Sequence, residues 1–140
     1  MRSHERHGDL GASVTARLLQ QARRTGDDYQ VLLTRYCLER FLYRLSASEH
    51  RARFVLKGAM LLGVWSNRPY RATFDLDLLR RGDGTIEAIR ADLTDIVNAP
   101  ASPDAVEFAA EDIRFQSITA QDEYVGTRAT LPATCGTTRL

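Results

Sequence analysis

The sequence lacks an apolar run long enough to cross a membrane. Its longest clean apolar stretch, residues 59–65, has seven residues, whereas a transmembrane helix needs about 18 or more. Basic residues occur at the N-terminus, but no apolar segment follows them as it does in a secretory signal. These two absences argue against a membrane-spanning or secreted chain and predict a cytoplasmic protein.

Cysteine, lysine and net charge are also scarce. The two cysteines, Cys37 and Cys135, form no CxxC pair, which argues against a metal or redox motif and favours buried thiols. The net charge of +1 is too small to draw the chain as a whole to nucleic acid or anionic lipid. Among the 19 basic residues only Lys57 is a lysine, so it is singled out as a candidate functional residue.

The patterning that is present indicates one globular domain. The chain has 140 residues, of which 44% are apolar and 26% charged, as in ordinary soluble domains. Periodicity and capping residues predict helices at 13–24, 29–45, 59–65 and 85–98, and strands at 53–56, 73–79, 113–118 and 124–131. The first 12 residues are expected to form a flexible arm, and residues 13–140 a single domain. This order of elements predicts an α+β (or α/β) fold.

Two carboxylates lie two residues apart in the strand predicted at 73–79. On a strand, Asp75 and Asp77 would point to the same face with their Cα atoms about 6.6 Å apart. Like charges this close repel unless a cation lies between them, and paired carboxylate oxygens suit Mg²⁺. The alternative is a solvent-facing strand edge that happens to carry two acidic residues. The sequence alone leaves both interpretations open.

Phosphate-binding features flank the acidic pair. Gly58 ends one predicted strand and opens a helix, where backbone N–H groups can accept a phosphate. The adjacent Lys57 could supply a positive charge to that phosphate, or it could be a surface lysine without a role. Arg71 and Thr73 precede the acidic pair and could contact phosphate and hydroxyl groups, although their spacing fits ordinary loop polarity equally well.

Three segments together resemble a known family. They are LTRYCLERFLYRLS at 33–46, RFVLKGA at 53–59 and RPxRxTxDLDLL at 68–79. Their order and spacing resemble the AbiEii-type nucleotidyltransferases, the toxin halves of type IV toxin–antitoxin pairs that act in abortive infection and phage defence. These toxins are members of the DNA polymerase β-like nucleotidyltransferase superfamily. The resemblance extends over residues 30–130 and is far more specific than two acidic residues alone.

The resemblance implies a fold, a site and a reaction. The expected fold is a polymerase β-like core with N-terminal helices and a mixed sheet. Asp75 and Asp77 would be the catalytic residues that hold two Mg²⁺ ions, and the nucleoside triphosphate would bind near Lys57, Gly58, Ala59, Arg71 and Thr73. A hydroxyl would attack the α-phosphate in line and pyrophosphate would leave. The implied acceptor is RNA, in particular the 3′ end of tRNA, and the implied protein partner is a cognate antitoxin.

The sequence departs from the family pattern in two places. Family members carry Gly-Gly or Gly-Ser where this chain has Gly58-Ala59, so a hydroxyl donor is lost. They are also about twice as long and carry a third carboxylate on a later strand, for which Asp112, Asp122 and Glu123 are no clear substitutes. The sequence therefore predicts that the C-terminal half is missing. The alternative to an active enzyme is an inactive remnant that keeps the fold and binds only nucleotide or the antitoxin.

Overall fold

A computed structural model of the chain describes residues 2–58, 60, 74–120 and 124–140. The described residues contain three α-helices, seven short strands and two 3-10 turns. The helices are α1 (Arg2–Thr25), α2 (Tyr29–Ala47) and α3 (Ile86–Val97). The strands are β1 (Phe54–Lys57), β2 (Asp77–Arg80), β3 (Val106–Phe108), β4 (Arg114–Ala120), β5 (Tyr124–Thr130), β6 (Ala133–Cys135) and β7 (Thr138–Arg139). The 3-10 turns are Arg51–Arg53 and Ala110–Asp112.

The helix ends follow the capping chemistry predicted from the sequence. Helix α1 closes where Gly26, at a φ of 78°, donates its N–H to the Ala22 carbonyl at 2.9 Å. Asp28 caps α2 by accepting hydrogen bonds from the Gln30 and Val31 amides. Thr85 caps α3 in the same manner. The helix predicted at 59–65 lies outside the described residues, apart from Met60.

The N-terminal segment differs from the prediction. Residues 1–12 were expected to be a flexible arm with a helix from Ser13, but the helix begins at Arg2. Two tertiary contacts lie within this segment. Leu10 packs against a buried cluster, and Gly11 lies against the backbone of Gly136 in the β6–β7 turn. Periodicity within one short segment cannot reveal contacts made with the other end of the chain.

The strands form three small antiparallel sheets. Strands β1 and β2 pair with each other, β4 pairs with β5, and β3, β6 and β7 form a three-stranded sheet in the order β3-β6-β7. The α+β class is therefore confirmed. Within the described residues every strand pairing is antiparallel, so the single mixed sheet that the resemblance implied is not present there. A strand pairing between distant segments, such as β3 with β6, has no signal in local sequence patterns.

Two buried clusters hold these elements together. The first joins α1 and α2 to the three-stranded sheet and includes Val14, Leu33, Cys37, Val106 and Cys135. Both thiols are buried and unpaired, as predicted, and burial raises the pKa of Cys37 to about 12. The second cluster packs α2 and α3 under the β1–β2 pair; its buried members are Phe41, Leu45, Leu93, Ile96, Val97 and Ile113. None of the described helices is long and apolar enough to span a membrane.

A buried ion pair fastens α2 to the strand β3. The Asp104 carboxylate accepts hydrogen bonds from Arg40 Nε at 2.6 Å, from Arg44 Nη2 at 3.1 Å and from the Val106 amide at 3.0 Å. Arg44 Nη2 also donates to the Val106 carbonyl at 2.9 Å, and the Tyr36 hydroxyl donates to the Asp104 carbonyl at 2.8 Å. The side chains of Arg44 and Asp104 are only 8% and 7% exposed, so each charge compensates for the hydration that the other has lost.

The contact between Gly11 and Gly136 makes a testable prediction. A Cβ placed on Gly11 would lie 2.5 Å from Gly136 Cα, so Gly11→Ala forces the backbones apart and is expected to cost about 1–3 kcal/mol of unfolding free energy. Gly8 is on the same helix with nothing within 4 Å of its Cβ position. Gly8→Ala is therefore the control, and it is expected to stabilise the protein by about 0.5–1 kcal/mol. Urea unfolding curves measure the stability of both variants. A change in unfolding free energy of the same sign in Gly11→Ala and Gly8→Ala would contradict the contact.

Candidate active site

The β1–β2 pair has an inner, half-buried face and an outer, exposed face. In its four-residue register Lys57 lies opposite Asp77, and Leu56 lies opposite Leu78. Directly opposed residues of an antiparallel pair share a face. Leu56 and Leu78 are half-buried, while Lys57 and Asp77 are exposed. The structure thus places the only lysine and one of the two candidate carboxylates side by side on the outer face.

Gly58 completes this end of the pair. It follows Lys57 with a φ of +74°, a conformation that glycine adopts without a steric penalty. A Cβ at this position would overlap Oδ2 of Asp77, so the carboxylate lies directly against the Gly58 backbone. A glycine is therefore required here both by the turn and by the close approach of Asp77. Lys57, Gly58 and Asp77 are separate candidates in the sequence. The structure brings these three residues together.

Asp75 lies just outside the strand. The sequence predicted a strand over 73–79, but β2 begins at Asp77, so the first carboxylate precedes the paired region. The alternation of exposure nevertheless continues back to it, because Asp75 and Asp77 are exposed and Leu76 is half-buried against the second cluster. The candidate nucleotide-binding residues Ala59, Arg71 and Thr73 lie outside the described residues.

A buried carboxylate fixes the other end of the β1–β2 pair. Asp92 of α3 accepts a hydrogen bond from Arg53 Nη1 at 2.7 Å, and Arg80 Nη2 lies 2.8 Å from its other oxygen. The Arg81 amide donates to the Arg53 carbonyl at 2.8 Å and extends the pairing by one bond. His50 Nδ1 lies 3.5 Å from Asp92. This cluster holds the strand pair on α3, at the end opposite Lys57 and Asp77.

Asp92 is a structural residue that the motifs do not indicate, although the pattern of α3 carries a signal for it. Asp92 is only 4% exposed and lies on the apolar face of α3 with Leu93 and Ile96. A carboxylate within an apolar helical face must find cationic partners to be buried. Asp92 is best described as a positioning residue, since it contacts the arginines that flank the strands and not the candidate site itself.

Comparison with known proteins gives one match. The family model described as nucleotidyl transferase AbiEii toxin, type IV toxin–antitoxin system, matches residues 40–139. The chain belongs to this family. No curated protein and no solved structure matches it significantly. The match includes the β1–β2 pair with Lys57, Gly58, Asp75 and Asp77, whereas α1 lies outside it.

Membership of the AbiEii family implies a nucleoside triphosphate as substrate, a divalent metal ion and an antitoxin as partner. The residues present suit a divalent metal, because the two carboxylates of Asp75 and Asp77 are exposed and carboxylate oxygens are ligands that divalent metals accept. Among residues 2–58, 60, 74–120 and 124–140, no group of three or more acidic, histidine or cysteine residues is arranged to hold a metal. Asp75 and Asp77 are the two carboxylates that the sequence predicts as ligands, and both are exposed.

The two buried carboxylates of the AbiEii chain predict sensitivity to acid. Burial alone raises the pKa of Asp92, but hydrogen bonds from Arg53 and Arg80 outweigh it and leave that pKa below its ordinary value of 3.8. Burial likewise raises the pKa of Asp104, and Arg40 together with the Val106 amide and Arg44 brings it below the ordinary value. A lowered pKa contributes stability above the unfolded-state pKa, and that stability is lost as pH falls through the folded-state pKa. The free energy of unfolding should therefore be level near neutral pH and fall below about pH 4.

Urea unfolding between pH 7 and pH 2 measures this dependence. Asp92→Asn is expected to be less stable at pH 7 and to lose less stability on acidification than the wild type. Asp9 is exposed, so Asp9→Asn is the matched control and should reproduce the wild-type dependence of stability on pH. A wild-type and an Asp92→Asn profile of the same shape would contradict the assignment.

Proposed function

We propose that this chain is an Mg²⁺-dependent nucleotidyltransferase that transfers a nucleotide from a nucleoside triphosphate to an RNA hydroxyl. The observation that carries the proposal is the contact of the exposed Asp77 carboxylate with the Gly58 backbone, with Lys57 opposite in the strand register. This arrangement brings a carboxylate oxygen, a glycine backbone and a cation into one small region. Family membership supports the class of reaction.

The roles of the residues follow from their placement. Asp75 and Asp77 would hold the metal, which when bound neutralises phosphate charge and stabilises the entering and leaving oxygens. Gly58 has no Cβ of its own, so the Asp77 carboxylate lies close to the backbone on which the triphosphate would bind. Lys57 supplies positive charge on the same exposed face as Asp77. Little covalent help is needed in phosphoryl transfer, so positioning and charge neutralisation account for most of the catalysis.

The remaining nucleotide contacts are proposed from the sequence. Ala59 follows Gly58 and is small enough to let the backbone reach a phosphate. Arg71 and Thr73 precede the acidic pair, and their guanidinium and hydroxyl groups are suited to phosphate and sugar oxygens.

The biological setting extends the proposal to partners. The acceptor is RNA, with the 3′ end of tRNA as the first candidate, and the activity would be the toxic one of an abortive-infection, phage-defence pair controlled by a cognate antitoxin. Triphosphates and tRNA are both cytoplasmic, and the cytoplasm is therefore the proposed compartment.

The experiment is a transfer assay with the purified chain. It contains Mg²⁺, each of the four α-labelled triphosphates in turn, and total tRNA, and label in RNA is measured on denaturing gels. Label that depends on the chain and on Mg²⁺ would support the proposal. Absence of label with all four triphosphates, while the chain is folded by circular dichroism, would contradict it.

The Gly58 turn provides a second test of the site. Gly58→Ala adds both an unfavourable φ and a clash with the Asp77 carboxylate. Gly26 has nearly the same φ, +78°, but nothing within 4 Å of its Cβ position, so Gly26→Ala carries the backbone strain alone. Both are expected to lose about 1 kcal/mol of stability from the strain. Only Gly58→Ala should also lower transfer, by about tenfold or more, because it displaces Asp77. Equal transfer by the two variants at matched folded fractions would contradict the role of this turn.

One observation favours a second candidate function. In the described ranges no third carboxylate joins Asp75 and Asp77 in a metal-binding group. A chain that has only these two carboxylates would bind nucleotide or the antitoxin but would not transfer the nucleotide to RNA. Mg²⁺-dependent triphosphate binding that Asp77→Asn abolishes, together with no transfer by the wild type, would establish this alternative.

A further inference from the structure

Helix α1 carries an exposed face rich in long cationic and amide side chains. Arg17, Gln20, Gln21 and Arg24 follow one another at intervals of three, one and three residues and line a shallow depression of about 190 Å³. Residues at this spacing lie in one row along a helix. All four are exposed. We call these four residues the α1 stripe.

The apolar face of α1 packs against the rest of the protein. Val14 and Ala22 are buried, and Leu10 and Leu18 pack against the first cluster. The helix therefore has no free apolar face to insert into lipid, which distinguishes it from a membrane-surface helix. The stripe remains available on its own for polar ligands.

The stripe arginines form no ion pair with any carboxylate in the part of the chain that the structure describes. Arg17 Nε donates to the Ser13 carbonyl at 3.3 Å. The nearest acidic residues along the chain are Asp9, Asp27 and Asp28; Asp27 accepts from the Thr25 hydroxyl and Asp28 caps α2. Between Leu10 and Gly26 the sequence has three arginines and no acidic residue.

We propose that the α1 stripe binds the phosphate backbone of single-stranded RNA. Arg17 and Arg24 are two helical turns apart, about 10.5 Å along the axis. Each strand of a DNA duplex carries one charge per about 3.4 Å of helix axis, and a single strand stacked in a similar way would offer a phosphate to each arginine. Guanidinium groups bind phosphate in a bidentate manner, and the glutamine amides between them can donate to intervening oxygens. The choice of RNA rests on the proposed function, in which RNA is the acceptor, and the stripe would be an anchoring surface separate from the β1–β2 site.

The test measures RNA binding without any transfer reaction. The double variant Arg17→Gln/Arg24→Gln keeps residues of good helix propensity on an exposed face, so it is expected to fold. Arg51→Gln/Arg81→Gln removes the same charge from two other exposed arginines and is the matched control. Binding of a fluorescein-labelled 20-nucleotide RNA is followed by anisotropy from 50 to 200 mM salt, with no nucleotide present. All proteins carry Asp77→Asn, so the result does not depend on whether transfer occurs.

The stripe variant is expected to bind at least about tenfold more weakly at 50 mM salt than the control. Its plot of log K against log salt should be less steep by about 1.4, because each lost contact with a single strand removes about 0.7. Equal affinities of the stripe and control variants would overturn the inference, and so would the absence of RNA binding by the parent protein. An equal loss with polyglutamate as the probe would also overturn it, since the surface would then be selective for anionic protein. Transfer is then measured for Arg17→Gln/Arg24→Gln with Asp77 intact, at saturating RNA. Transfer that persists supports separate binding and reaction sites.

Discussion

Replacing Asp77 by asparagine is expected to lower nucleotidyl transfer by at least about a hundredfold, the loss that follows removal of one group stabilising transition-state charge. The change keeps the size of the side chain and its approach to Gly58, but it removes the anionic oxygen that would hold the metal. Because Asp77 is exposed, the free energy of unfolding should change by less than about 0.5 kcal/mol. Asp75→Asn is expected to have the same effect on transfer.

The transfer assay and a urea unfolding curve together test this prediction. Asp9→Asn is the control, because it removes an exposed carboxylate from α1 and should leave transfer unchanged. Wild-type transfer rates in either Asp75→Asn or Asp77→Asn would show that the metal is not held by this pair. A large loss of stability in Asp77→Asn would instead indicate a structural role for the carboxylate.

Replacing Asp104 by alanine is expected to give the largest loss of stability. The variant leaves the Arg44 guanidinium buried, with a side chain only 8% exposed and its carboxylate partner gone. Removing one partner of a buried pair typically costs about 3–5 kcal/mol, because the remaining charge is neither hydrated nor compensated. The variant also loses the hydrogen bonds that Asp104 accepts from Arg40 and from the Val106 amide.

An exposed pair on the same helix is the matched control. Arg35 Nε and Glu39 Oε1 are 3.0 Å apart, and both side chains are about half exposed. Glu39→Ala should cost less than about 0.5 kcal/mol, because exposed pairs at this spacing contribute little. Urea unfolding at pH 7 compares the two variants. If Asp104→Ala were no less stable than Glu39→Ala, the Asp104 cluster would not be holding α2 on β3.

Local patterns predicted α2, α3 and the longer strands β4 and β5 well, and they missed features that depend on tertiary contacts. The caps at Asp28 and Thr85 are short-range hydrogen bonds, so they can be inferred from neighbouring residues. The N-terminal part of α1 reaches Gly136 through Gly11, and this contact between distant segments lies in no local window. Strand β3 has only three residues and is set by its pairing with β6, so it carries too little periodicity to be recognised.

The candidate site shows the same division. Lys57, Gly58 and Asp77 could be selected by residue type and by resemblance, and the side-by-side placement of Lys57 and Asp77 requires the register of β1 with β2. Asp92 could have been suspected from its apolar helix face. Its partners Arg53 and Arg80 come from two other segments, and only the folded chain brings their guanidinium groups to one carboxylate.

The crossing of α1 over the β6–β7 turn sets an order of events for folding. Gly11 and Gly136 are almost the full length of the chain apart, and the first buried cluster joins Val14 and Leu33 to Ala133 and Cys135. Helix α2 follows α1 directly, so the contact of Val14 with Leu33 can form early in folding. The contact of α1 with Ala133 and Cys135 closes a loop that contains most of the described residues, and closing so long a loop is slow. The two helices are therefore expected to pair before the β6–β7 turn docks on them.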